Sequence, residues 1–177
     1  MCGCTETTGE PRGGLGWLPM AIGMLTLHRF NGDEAFEILV ATALAMPDGD
    51  SIRLNLEIET DERPLKTLPD TQKYAAQPNA EVTIRVSRAA LDSLVGRRFS
   101  VPRSWDEEAG DHVSRFYYYE HEGIDDNVIE FIERKGDELH VRWTGTTIDV
   151  NFYDGSKPRT RVVVDAWFTM KGTGSEG

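Results

Sequence analysis

The sequence DELHVRWTGTTIDVNFYDGSKPRTRVVVDAWFTM, residues 137–170, carries the clearest fold signal in this chain. Apolar and polar side chains alternate through residues 139–144 and again through 148–153, and a period of two predicts a β-strand in each run. Gly145 lies between the runs, and Asp154-Gly155 predicts a turn after them. Residues 162–170 are apolar on both faces, which is typical of a central strand covered on both sides. The stretch therefore predicts three consecutive antiparallel strands.

The rest of the chain continues this β pattern. Alternating runs bounded by turn residues predict further strands at residues 24–30, 52–58, 81–86, 98–101, 112–121 and 128–134. Ser87 and Gly96 are placed to begin and end a short helix over residues 88–95. We expect a mainly β fold, an antiparallel sandwich or an up-and-down barrel of roughly eight to ten strands, with one or two short helices.

Residues 35–46, AFEILVATALAM, fit two periods. Positions 36, 39, 40, 43 and 44 have helical spacing, whereas positions 36, 38, 40, 42, 44 and 46 share one face of a strand. Residues 47–50, PDGD, form a good hairpin turn into the next strand, which favours the strand interpretation. The alternative is an α+β domain in which this segment is a helix lying on the sheet.

The chain of 177 residues is long enough for one domain with its own hydrophobic core. We expect a flexible glycine-rich leader at residues 1–23, a single β-rich domain at 24–170 and a disordered polar tail at 171–177. The only cysteines, Cys2 and Cys4, lie in the expected leader. No disulfide framework is predicted, which favours a reducing, cytoplasmic location.

The net charge of -11 argues against nucleic acid or an anionic membrane surface as a partner, because both attract basic proteins. Residues 106–133 hold ten acids and a single base, Arg115, so this acidic segment contributes -9 by itself. The ordinary interpretation is a solvated face that keeps the protein soluble. The functional interpretation is a docking surface for a basic protein partner or a cation, with Asp125 and Asp126 as candidate contacts.

An aromatic run within this segment, residues 116–119, is the strongest hint of recognition. A strand would place Phe116 and Tyr118 on one face and Tyr117 and Tyr119 on the other. Core packing with peripheral hydroxyl groups is the ordinary interpretation. Alternatively, Tyr117 and Tyr119 are displayed for a ligand or a partner, since tyrosine combines an apolar ring with a polar tip.

Residues 149–155 have a superficial likeness to a calcium loop. With Asp149 in the first position, the required glycine and glutamate positions hold Asp154 and Thr160, so the calcium pattern fails. The ordinary interpretation is an exposed strand face that leads into a turn. The functional interpretation is an open polar patch where Asp149, Asn151 and Tyr153 contact a ligand.

No complete catalytic, metal or cofactor motif is present in the sequence. The four histidines, at positions 28, 112, 121 and 140, have no metal-ligand spacing, so we predict no metal and no cofactor. The leading hypothesis is a non-catalytic binding or interaction module whose acidic, tyrosine-bearing second half meets a basic partner. The alternative is a small-ligand-binding barrel, or a hydrolase, with a pocket in the β core.

Overall fold

A computed structural model describes residues 21–64, 75–150 and 152–172. The elements in these residues are, in chain order, β1 (Gly23–Arg29), β2 (Gly32–Asp48), β3 (Ser51–Thr60), β4 (Arg63–Pro64), β5 (Ala75–Ala76), β6 (Asn79–Ser87), α1 (Arg88–Leu91), β7 (Arg98–Val101), β8 (Trp105–Asp106), β9 (Asp111–His112), β10 (Ser114–Tyr117), β11 (His121–Glu122), β12 (Asp125–Lys135), β13 (Glu138–Thr147) and β14 (Thr160–Gly172). Ten strands form one sheet in the order β11-β10-β6-β3-β2-β1-β14-β13-β12-β7, while β4–β5 and β8–β9 are separate two-stranded pairs. The expected mainly β, antiparallel fold is confirmed, and the large sheet is not closed.

The stretch 137–170 forms two of the three expected strands. β13 and β14 pair antiparallel along their whole length, from Glu138↔Thr169 to Thr147↔Thr160. The expected strand at residues 148–153 is wrong, because none of its described residues is in a strand. Gly145, expected to separate two strands, lies inside β13, where a Cβ would overlap the side chain of Ile124. The glycine therefore permits a close approach rather than a break.

β14 is a central strand, as expected, because it pairs with β1, β13 and, at its end, β2. Its inward residues are fully buried, including Val162, Val164 and Phe168. Val163 and Trp167, on the other face, are only half-buried. The expectation that both faces are covered is therefore wrong, since no second layer of the described residues covers the outer face.

Residues 35–46 lie within β2, so the α+β alternative is wrong. A β-bulge interrupts the pairing of β2 with β3 between Ile38 and Val40. Before the bulge Phe36 and Ile38 are buried, whereas after it the buried residues are Ala41, Ala43 and Ala45, and Val40 is exposed. The single strand face expected at even positions is thus wrong beyond Ile38. Because the bulge shifts the alternation by one residue, no single period of two describes the whole strand.

The helix and the domain limits differ slightly from expectation. α1 has four residues rather than eight, and its N-cap Ser87 makes no side-chain capping hydrogen bond. Gly96 has the left-handed φ of +80° expected after a helix. Strand β1 begins at Gly23, which was assigned to the leader, and β14 continues to Gly172, two residues into the expected tail. Residues 1–20 and 173–177 lie outside the described part of the chain.

The inner face of the sheet encloses one hydrophobic core. Its largest fully buried side chains are Trp143, Tyr118, Phe116, Phe131 and Phe168. Aromatic contacts join several of them, including Phe116 with Tyr118 at 6.3 Å between ring centroids. Large side chains therefore fill the described interior, as in small β-barrels whose interior is a packed core.

The two edges of the sheet approach each other without pairing along their whole length. β6 pairs with β10 through residues 79–82, and Thr83 N then donates to Val113 O at 2.8 Å. Val113 N donates to Ser104 O at 2.8 Å, and Ser104 N donates to the Asp125 carboxylate at 2.9 Å, which connects this edge to β12. Residues 84–87 of β6 are not paired with β7. We call the gap between these two segments the slot.

Candidate functional site

The slot is an open cleft of about 560 Å³ that is bounded by β6, β7 and the connection 102–113. Ile84 of β6 is buried, and Phe99 and Val101 of β7 are partly buried against the core. These three side chains make the inner part of the slot apolar. Thr83, Arg85 and Ser100 alternate with them along the two strands and line its outer part. An apolar interior with a few polar groups around it is the usual composition of a ligand site.

The connection 102–113 places an aromatic side chain at the slot. β8 and β9 form a small hairpin in which Asp106 Oδ1 accepts from Glu108 N at 3.0 Å and Ala109 N at 3.1 Å. Trp105 lies on this hairpin with its ring edge-to-face against His112, at 4.9 Å between centroids. Trp105 is 41% exposed and lines the slot. The hairpin therefore holds a large, partly exposed ring at the slot.

Three guanidinium groups line the same slot. Arg53 of β3 lies opposite Arg85 of β6, and the nearest N–O distances to Asp48 are 3.9 and 3.3 Å respectively. Arg103 makes no ion pair with any residue in the described ranges. The slot residues Arg85, Arg103 and Trp105 were missed by sequence reasoning. A tryptophan in the turn-rich run PRSWDEEAGDH was the available signal, because an exposed large aromatic side chain is uncommon.

A second opening of about 320 Å³ lies beside the slot and is lined by His112, Arg115, His121 and Glu122. His112 and His121 were expected on opposite faces of one straight strand. They line one opening because the chain is divided into β9, β10 and β11 by irregular residues. Partial burial raises the pKa of Glu122, and the charge of Glu120 raises it further. Within the described residues, no group of three or more His, Cys, Asp or Glu side chains is arranged to hold a metal ion.

The aromatic run alternates as expected. Phe116 and Tyr118 are buried, whereas Tyr117 is half-buried and Tyr119 is 48% exposed. The ring of Tyr117 lies 4.9 Å from that of His121. The alternation is therefore confirmed, while contact of Tyr117 and Tyr119 with a ligand or partner stays a prediction.

Asp125 and Asp126 have different surroundings despite being adjacent. Asp125 accepts hydrogen bonds from Ser104 N and from Arg159 Nη2, the latter at 2.8 Å. Partial burial alone would raise its pKa, but the hydrogen bonds from Ser104 and the charge of Arg159 outweigh burial and lower the pKa. Asp126 is exposed and has a left-handed φ of +53°. Asp125 therefore stabilises the fold, whereas Asp126 is accessible to a partner.

Asp149, expected on an exposed strand face, is 1% exposed, so that interpretation is wrong. The guanidinium of Arg29 donates to both carboxylate oxygens of Asp149, at 2.6 and 3.1 Å, and to Val150 O at 2.8 Å. Thr160 Oγ1 donates to Asp149 as well, at 2.5 Å. Asp149 is buried because it follows the end of β13, where the chain passes over Arg29 at the end of β1. Tyr153 lies in the following turn and is partly buried, and Asn151 lies outside the described residues.

Glu34 completes this buried charged network, which we define as Arg29, Glu34, Asp149, Tyr118 and Thr160. Arg29 Nη1 donates to Glu34 at 2.7 Å, and the hydroxyl of Tyr118 donates to the other oxygen of Glu34 at 2.6 Å. Burial raises the pKa of Tyr118, and the hydrogen bond to Glu34 raises it further, so the phenol stays protonated. The pKa of Arg29 is raised, because its hydrogen bonds to Asp149 and Glu34 outweigh the lowering effect of burial. The network joins β1, β2, β14 and two connections.

No family model, curated protein sequence or solved structure matches this chain significantly. None of the described residues belongs to a helix with the length and hydropathy of a membrane span.

Proposed function

We propose that the protein is a non-catalytic binding module that takes its ligand in the slot. The observation that supports this is the cleft of about 560 Å³, which has the size and the composition of a ligand site. The inner face of the sheet is a poorer candidate, because Trp143, Phe131 and other large side chains are fully buried there. A ligand site in the slot also needs no rearrangement of the core.

The chemistry of the slot favours binding over catalysis. Its hydroxyl groups belong to Thr83 and Ser100, and its histidine is His112. Thr83 Oγ1 donates to Asn55 Oδ1 at 3.0 Å, and in the described part of the chain neither hydroxyl group is hydrogen-bonded to a histidine, the commonest base that activates such a nucleophile. The arginines and Trp105 are instead suited to hold a ligand by charge and ring contact.

Ligand-observed NMR with a library of small organic molecules tests this proposal. Trp105→Ala removes the exposed ring at the slot, whereas Phe30→Ala removes a similarly exposed ring that does not line the slot and serves as the matched control. We expect molecules that bind the wild type to lose affinity for the Trp105 variant and to keep it for the Phe30 variant. If the Trp105 variant retains every bound molecule at unchanged affinity, the slot is not the binding site.

The acidic segment supports a second candidate function, the binding of a basic protein partner. Six of its ten acids, Asp106, Glu107, Glu108, Glu120, Glu122 and Asp126, form no ion pair with a base in the described residues. Uncompensated charge of this kind attracts basic partners over a distance of about 10 Å at moderate salt. Calorimetric titration with a lysine-rich peptide at low salt tests this function, with the Glu107→Gln, Glu108→Gln, Glu120→Gln variant for comparison. Equal heats for the two proteins would contradict it.

A further inference from the structure

The slot has an uneven distribution of charge that indicates which class of ligand it takes. Two of its three arginines, Arg53 and Arg85, lie on the neighbouring strands β3 and β6, and Arg103 lies after β7 at the start of the connection 102–113. Its three acids, Asp106, Glu107 and Asp111, all lie on the β8–β9 hairpin. The slot is therefore basic on its strands and acidic on its hairpin, and Arg103 precedes the hairpin in the chain.

Two of the three acids already accept hydrogen bonds from nearby groups. Asp106 accepts two backbone N–H groups of its own hairpin, and Asp111 accepts from His112 N and from Arg115, the latter at 2.9 Å. Glu107 is the remaining acid that lines the slot. On the opposite side, Arg53 and Arg85 share the single carboxylate of Asp48. The arginine side therefore has unused capacity to bind an anion.

The slot also has an apolar part. Ile84, Phe99 and Val101 form its inner surface, and Trp105 adds an aromatic face at the entrance. An apolar or aromatic body in contact with these side chains removes hydrocarbon surface from water. A carboxylate at one end of that body would reach the guanidinium groups, which bind carboxylates through paired N–H donors.

We infer that the slot binds an amphipathic carboxylate, with its apolar body on Phe99 and Trp105 and its anionic group on Arg85 and Arg103. This inference rests on the proposed function, because it names the ligand class of the same site. An amine of the same shape is disfavoured by the arginines. An alcohol of the same shape would keep the apolar contact but would lose the charge-assisted hydrogen bonds.

The test uses three probes with one body, namely 4-biphenylacetate, the corresponding alcohol and the corresponding amine. Titrations of the full chain are followed by ¹H–¹⁵N NMR, with the indole N–H of Trp105 and the amide of Ile84 as local reporters. We expect the carboxylate to bind about tenfold or more tightly than the alcohol, and the amine to bind most weakly. Arg85→Gln and Arg103→Gln should each weaken carboxylate binding by about tenfold and leave alcohol binding unchanged.

Glu107→Gln is the matched control, because it removes a charge of the opposite sign from the same slot. We expect this variant to bind the carboxylate at least as tightly as the wild type does. Equal affinity for the carboxylate and the alcohol would overturn the inference about ligand class and leave the slot as a binding site. If none of the three probes shifts the reporters at millimolar concentration, the proposed function fails together with the inference.

Discussion

Replacing Arg29 by methionine tests how much the buried charged network stabilises the fold. The side chain of Arg29 is 0% exposed and forms ion pairs with Asp149 and Glu34 at 2.6 and 2.7 Å. Methionine fills a comparable volume but carries no charge, so the Arg29→Met variant leaves two carboxylates buried without a counter-charge. Breaking a buried ion pair by removing one partner typically costs about 3–5 kcal/mol. We expect a cost in this range, because the two pairs share one arginine and are lost together.

A loss of that size is measurable, since single domains have unfolding free energies of about 5–15 kcal/mol. Urea unfolding followed by tryptophan fluorescence and by circular dichroism gives the difference. Arg142→Met is the matched control, because Arg142 is 51% exposed and pairs with Asp165 at 3.0 Å on the outer face. An exposed pair contributes about 0–1 kcal/mol, so this variant should unfold close to the wild type.

A triple variant provides an independent check of the same prediction. Adding Glu34→Gln and Asp149→Asn to Arg29→Met should recover part of the lost stability at neutral pH. A cost of less than about 1 kcal/mol, or no recovery in the triple variant, would refute the reasoning.

Three further predictions concern single positions. Gly145→Ala should lower the free energy of unfolding by about 1–3 kcal/mol in urea melts, because its Cβ would overlap Ile124, whereas Gly172→Ala has open space and should change nothing. The pKa of Asp125 is lowered in the folded state, so its carboxylate should stabilise the fold fully above the ordinary pKa of aspartate. This stabilisation should be lost as the pH falls through the lowered pKa. The free energy of unfolding should therefore fall less steeply with decreasing pH in Asp125→Asn than in the wild type, and identical curves for the two proteins would contradict this. Moderate salt should raise the melting temperature by screening the acidic segment, and Asp126→Asn should weaken the effect; identical salt series for the two proteins would exclude it.

Alternation predicted the parts of the fold where a strand buries one face without interruption. In β13 the inward residues Leu139, Val141 and Trp143 are all fully buried, as their period of two predicted. A one-residue shift would have exposed all three, so the pattern determines the register strongly. The same reasoning failed in β2. A bulge changes the period within that strand, and no particular residue type marks its position in the sequence.

The buried charged network was missed for a different reason. Arg29, Glu34 and Asp149 are separated by up to 120 residues, so their pairing depends on tertiary contacts that sequence spacing does not report. Each residue taken alone suggests a solvated side chain, because Arg, Glu and Asp are rarely buried unless paired. Asp149 was singled out for its polar neighbours, yet the chain buries it.

The slot was not predicted, because the two strands that border it are consecutive in the chain but do not pair. Consecutive strands usually pair, so β6 and β7 would be expected to form a hairpin. Instead α1 separates them, and Gly96 N and Arg97 O bond to Phe131 at 2.8 and 3.1 Å, which attaches the start of β7 to β12. The chain then has to cross from β7 back to β10, and residues 102–113 make this crossing over the unpaired edge. The exposure of Trp105 follows from this path, since a crossing outside the sheet has no core in which to bury the ring.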